Sequence, residues 1–288
     1  MRLCRDFVIF EYFIIHMDVK EFLELFIKEL EINSDLRGYY RLLENRNRFL
    51  WRKAYLEQRL EYVYSNLGAS SGKIWDVGCG YATTAIFLTL NGYQVMGNTL
   101  EFYYDKIGSR LDYWSKFGDL GGLSVEYSNL FDRSIATQQF DAIVAQDTLH
   151  HLEPIRDAID IFRVSLKQGG KLIVTEENGH NIFISFKNFS KRGFKRVTEY
   201  YDERLHKSVL FGNENARSMQ AWIQILKNGG LTIIEDDMEY IRFFPPFCFT
   251  AENYPHIAEK ETKAGKNSIL LSELLFFGIN FTAIKVTL

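Results

Sequence analysis

The five residues Asp76-Val77-Gly78-Cys79-Gly80 hold the first concentration of chemistry in the chain. Two glycines one residue apart permit a tight turn and close backbone approach to a ligand. A helix opening directly behind them would present free N–H groups to that ligand. His150 and His151 form a second concentration, with Asp147 just ahead of them. An imidazole of pKa about 6.5 takes a proton from a hydroxyl or amine near neutral pH, and a carboxylate can orient it. The third is Glu176-Glu177-Asn178 with His180. Paired carboxylates beside an amide can hold a substrate hydroxyl or amine; equally, one of them can cap the next helix.

Each concentration follows a segment that reads as a strand. Residues 73–77 are a short apolar run closed by glycines, and 82–91 read as a helix. Strands are expected at 93–97, 123–127, 140–146 and 171–175, with helices at 101–117 and 154–167 between them. Strands alternating with helices predict an α/β fold with a doubly wound, mostly parallel sheet. A sixth strand is expected from Leu231, running on toward Phe243, and a final one over 278–288, which makes seven. The histidines and the Glu176 cluster would then share the carboxyl edge of the sheet, where ligands bind in such folds. Residues 1–67 read as an N-terminal helical cap and 68–288 as the main domain, with insertions at 178–214 and 244–274. The first insertion shows no strong strand. It interleaves Lys187, Lys191, Arg192, Lys195 and Arg196 with Phe186, Phe189 and Phe194, which suits an anionic headgroup or phosphate, or a solvated amphipathic helix.

The stretch DVGCGYAT, residues 76–83, departs from a dinucleotide fingerprint because Thr83 stands where the third glycine belongs. It resembles instead motif I of class I S-adenosylmethionine-dependent methyltransferases, with Ala82 at a frequent glycine position. FDAIVAQDTLHHLEP, residues 140–154, resembles the fourth-strand motif of the small-molecule members, and GGKLIVTEEN follows at 169–178. The resemblance covers residues 73–178 and implies S-adenosylmethionine as cofactor. It assigns Asp76, Gly78 and Gly80 to the cofactor turn, and Glu101, helped by Thr99, to the ribose. Asn129 and Leu130 fall to the adenine, and Gln146 to the methionine end. Methyl transfer to oxygen or nitrogen of a small molecule, a glycan or lipid intermediate among the options, is then expected, with His151, His150 and Glu177 as acid–base candidates. The cap segment ENRNRFLWRKAYLEQR, residues 44–59, resembles an aromatic-Arg helix that closes over the cofactor in methyltransferases of glycan and lipid pathways. Arg52 and Arg59 share one face of it; a solvated basic face is the other reading. A non-catalytic cofactor-binding protein and a nucleotide-binding oxidoreductase of the same general fold are the alternatives.

Composition narrows the classes. The net charge of −3 provides no global basic field for nucleic acid, and no Asn/Asp-Pro-Pro-Tyr/Phe motif follows the fourth strand. Three scattered cysteines suggest neither a disulfide framework nor a zinc site, so a cytoplasmic setting is expected. The apolar run 7–15 is too short to span a bilayer, and Glu11 interrupts it. A clean helical pattern opens only after Met17, which suggests Met17 as an alternative start.

Overall fold

The computed structural model describes residues 16–68, 71–100, 103–134, 136–267 and 269–285. Glu101, assigned above to the ribose, lies outside the described residues, as do Met1 and the apolar run 7–15.

Three helices precede the sheet: α1 (Val19–Ile32), α2 (Ser34–Tyr40) and α3 (Arg46–Asn66). Asp18 starts α1 by accepting the Glu21 N–H at 2.8 Å, and Asn33 and Asn45 cap the next two in the same way. Such caps satisfy N–H groups that lack intrahelical partners. Phe22, Leu23, Phe26 and Leu30 recur at helical spacing and form the buried face of α1.

The alternating region then runs β1 (Lys73–Val77), α4 (Thr83–Leu90), β2 (Gln94–Thr99), α5 (Tyr104–Trp114), β3 (Leu123–Tyr127), β4 (Phe140–Gln146), α6 (Ile155–Ser165) and β5 (Leu166–Glu177). Beyond it come α7 (Ile182–Arg192), β6 (Val197–Asp202), β7 (Lys207–Gly212), α8 (Met219–Asn228), β8 (Leu231–Ile233) and β9 (Glu239–Ile241). The chain closes with α9 (Tyr254–Asn267), α10 (Ile269–Leu275) and β10 (Gly278–Lys285).

The main sheet has the order β3-β2-β1-β4-β5-β10-β8, with β9 also paired to β10. β1 to β5 pair in parallel, and β10 is antiparallel to its three neighbours. The chain leaves β1 toward β2 on one side and later returns to β4 on the other. The strand order therefore reverses at the carboxyl end of β1, where such sheets open a crevice. Alternation along β1 sends Ile74 into the core shared with α1 and α4, and Trp75 and Val77 into the core shared with α6 and α8. A buried ion pair fixes α1 to the turn after β1. Arg110 of α5 donates to both oxygens of Glu29 at 2.8 and 2.6 Å, and also to the Thr83 hydroxyl at 2.8 Å and the Tyr81 carbonyl.

Two expectations are corrected. The 178–214 insertion contains a strand pair, β6–β7, separate from the main sheet. The sequences VTEYYD and KSVLFG do not alternate apolar with polar residues, so periodicity gave no clear signal. The sixth strand does not run on to Phe243. A 3-10 turn at Glu235–Asp237 splits it, and β9 becomes a short eighth strand beside the seven expected. Three consecutive acidic residues there favour a solvated turn over a strand interior.

Candidate active site

A cavity of about 920 Å³ opens at the reversal point of the strand order. Its wall takes residues from the turn after β1, the ends of β2, β3 and β4, the helix α3, and the strand pair β6–β7.

The turn is shaped by departures from ordinary backbone at three alternate residues. Gly78, Gly80 and Ala82 all have positive φ, at 65°, 53° and 60°. A Cβ at Gly78 would lie 2.5 Å from the Thr148 side chain, so this position admits glycine alone. Ala82 carries the same left-handed conformation with a methyl group, which is why glycine suits that place in related turns. Beyond it α4 begins at Thr83.

Asp76, next to last in β1, lies buried beneath this turn, and its Oδ2 has no partner among the described residues. Burial pushes its carboxyl up to about 7, against a smaller opposite pull from the Ala85 N–H. Ser128 Oγ and Gln146 Nε2 are also buried in the wall without partners among the described residues. The Gln146 carbonyl oxygen accepts from the Thr84 hydroxyl, and the amide NH₂ has no acceptor among the described residues. A free carboxylate oxygen, hydroxyl and amide within one cavity fit a ligand carrying both donors and acceptors, such as the amino-acid end of S-adenosylmethionine. Thr99 lines the cavity, with its hydroxyl near the Leu100 carbonyl at 3.3 Å. Asn129 lines it too, and its side-chain oxygen already accepts the Phe131 N–H at 3.2 Å, leaving one lone pair for a ligand. Leu130 packs beside it, buried.

The acid–base candidates separate. His151 lines the cavity; His150 and Glu177 are not part of that wall. His150 is buried, and its Nδ1 lies 2.6 Å from Glu176, whose other oxygen accepts the Leu149 N–H at 2.6 Å. Burial alone would depress His150, but the Glu176 charge and hydrogen bond, with Asp147 and Glu177 behind them, raise it to about 9. His151 stacks on Phe211 at 4.4 Å between ring centres, and its Nδ1 is 3.0 Å from the Gly212 carbonyl. A carbonyl only accepts, so Nδ1 carries the proton and Nε2 keeps its lone pair. Burial, then the neighbouring His150 charge, holds the His151 pKa below its usual value, so the ring is neutral near pH 7. Glu177 sits at the end of β5, with one oxygen 3.9 Å from Lys187 and the other buried without a partner among the described residues.

Helix α3 supplies charge. Arg48, Trp51, Arg52, Tyr55 and Arg59 project from one face of α3 into the wall. Arg59 pairs with Asp147 at 2.7 Å. Partial desolvation would raise Asp147, but the charges of Arg59, Arg242 and His150 bring it below the usual carboxylate range. Arg41 and Arg242 complete the basic rim, Arg242 lying over the Tyr55 ring at 4.9 Å. Neither was flagged by sequence. Arg242 reaches the site through the pairing of β9 with β10, which no local pattern encodes. Arg41, Arg48 and Arg52 have no ion-pair partner among the described residues. Thr84 and Thr148 were likewise missed; Thr84 lay in the first turn behind the glycines, the position that could have marked it.

Comparisons with known proteins converge on this region. The sequence model of a family described as methyltransferase domain matches residues 75–174. The O-methyltransferase resE of Aspergillus sclerotiorum is 26% identical over 122 residues, which are 42% of this chain and 46% of that protein. The chain thus spans about half the length of the curated relative it matches. Among solved structures, an S-adenosylmethionine-dependent methyltransferase from Mesorhizobium loti aligns with a TM-score of 0.50 at 15% identity, covering 79% of this chain and 96% of that one. One from Methanosarcina mazei aligns at 0.52 and 16%, over 78% and 98%. The [4+2]-cyclase SpnF aligns at 0.55 and 17%, over 85% of each chain. At such identities these likenesses establish the fold, and the cyclase shows that the fold alone does not fix a reaction. Residues 75–174 are thus similar to a methyltransferase domain, and the chain has the fold of S-adenosylmethionine-dependent methyltransferases.

Proposed function

We propose that the chain transfers a methyl group from S-adenosylmethionine to an oxygen or nitrogen of a small acceptor that carries an acidic group, such as a glycan or lipid intermediate. The observation that carries this reading is the shared cavity: the cofactor turn, the neutral His151 and the unpaired arginines of α3 all line it. The cofactor, when bound, supplies an activated methyl group on a sulfonium sulfur. The chain's own part is alignment, desolvation and proton removal. Asp76, Ser128 and Gln146 have free polar atoms for the cofactor, and Thr99 and Asn129 line the same wall. His151 takes the acceptor proton on Nε2. Arg41, Arg48 and Arg52 offer charge to an acidic group of the acceptor, and Trp51 and Phe211 offer aromatic surface. Residues 16–67 act as the cap that closes the acceptor side, with β6–β7 opposite. Glu101 remains the proposed ribose ligand.

Titration calorimetry with S-adenosylhomocysteine and NAD tests the cofactor; NAD binding without S-adenosylhomocysteine binding sinks the reading. Transfer of labelled methyl from the cofactor to fractions of a cell extract then finds the acceptor. His151→Ala should lower turnover by roughly 10²-fold while leaving S-adenosylhomocysteine affinity unchanged.

A further inference from the structure

Helix α7 carries its apolar stripe outward. Successive residues turn by about 100°, so Ile182, Phe183, Phe186 and Phe189 fall within an arc of roughly 120°. All four are exposed, Phe186 at 74%, while Ile184 and Asn188 on the opposite side are buried. A helix of a water-soluble domain normally turns this stripe to the core. The patch continues beyond the helix. Phe194, 91% exposed, packs edge-on against Phe189, and Leu270 and Leu271 of the neighbouring α10 are exposed as well. Contiguous exposed apolar surface of this kind marks an interaction site.

Cations frame the patch. Arg192, Lys195 and Arg196 make no ion pair among the described residues, and Lys191 reaches Glu214 only at 3.8 Å. Aromatic rings flanked by lysine and arginine are the pattern of helices that lie in the plane of a membrane surface, rings among the acyl chains and cations at the headgroups. A second copy of the chain would bring its own cations to the same rim, which disfavours self-association. We propose that α7, the turn at Phe194 and α10 form a docking surface for an anionic lipid bilayer. Lys187 belongs both to α7 and to the cavity wall, so docking brings the site to an acceptor anchored in the bilayer. Only this last clause rests on the methyltransferase reading; the docking surface stands without it.

Flotation of the full chain with phosphatidylcholine vesicles, with and without phosphatidylglycerol, tests the proposal. The chain should float with the mixed vesicles and only weakly with pure phosphatidylcholine. Phe186→Ser with Phe194→Ser should lower the partition coefficient by roughly tenfold or more on both. Arg192→Gln with Lys195→Gln and Arg196→Gln should lower it by about tenfold on mixed vesicles alone. Unchanged thermal stabilisation by S-adenosylhomocysteine confirms that the variants fold and separates this test from that of the cofactor. Absence of flotation, or flotation indifferent to both variants, overturns the proposal. So does a dimer in light scattering that Phe186→Ser dissociates while vesicles are ignored.

Discussion

Arg59 of α3 and Asp147 at the tip of β4 meet at 2.7 Å, although 88 positions separate them. The pair ties the helix before the sheet to the cavity floor. Asp147 holds a left-handed backbone, φ 48°, and its side chain is 43% exposed. Solvent screening therefore limits the pair to about 0–1 kcal/mol of stability. Arg59→Ala should shift the thermal midpoint little yet lower kcat/KM clearly, because α3 loses its register over the site. A large loss of stability with unchanged kcat/KM would contradict this.

Gly78→Ala should abolish S-adenosylhomocysteine binding. The added methyl meets both Thr148 branches, and the left-handed backbone adds about 1–2 kcal/mol. The double variant Gly78→Ala/Thr148→Ala removes both branch contacts and leaves a tight 3.2 Å approach to the residue 148 Cβ beside the backbone cost. Calorimetry should show partial recovery of binding in the double variant; equal failure of both would mean that the clash is not the cause.

Asp76 links stability to pH. Its folded pKa, about 7, lies above the unfolded value of 3.8. The ligand-free protein is therefore favoured below pH 3.8 by this group, and that contribution is lost as pH rises through about 7. Asp76→Asn should flatten the stability profile of the free protein across this window. It should also weaken S-adenosylhomocysteine, which loses a carboxylate partner for its cationic amino group. Thermal unfolding from pH 5 to 8 reads the first effect and calorimetry at pH 8 the second.

The buried His150–Glu176 pair acts in a higher window. The folded His150 pKa is raised to about 9 from 6.5, so its contribution is full below 6.5 and is lost as pH rises through 9. Glu176→Ala leaves a buried imidazolium without its partner and should cost about 3–5 kcal/mol near neutral pH. The decline of stability between pH 6.5 and 9 should shrink in that variant. A decline of the same size would assign the effect elsewhere.

The alternating region was legible because its signals are local. Five short apolar runs predicted β1 to β4 within about two residues and the inner part of β5, which starts earlier, at Leu166, and the helical spacing of Phe22, Leu23, Phe26 and Leu30 predicted α1. The turn at Asp76, Gly78 and Gly80 was legible too, since a left-handed backbone demands a particular residue type wherever it occurs. The division of labour between the two histidines was not. His150 and His151 are adjacent and chemically identical in sequence, yet one faces Glu176 in the core and the other faces the cavity beside Phe211. A 3-10 turn at Leu149–His151 sets their directions, and the partners come from β5 and β7, 26 and 61 residues away. The basic rim has the same origin. Arg41, Arg59 and Arg242 meet only because α2, α3 and β9 pack over one end of the sheet. The sequence by itself determined the elements and the cofactor turn, because backbone propensity and periodicity act over a few residues. Tertiary structure alone decided which side chains share the cavity and in what protonation state, because desolvation and charge coupling depend on distances in space.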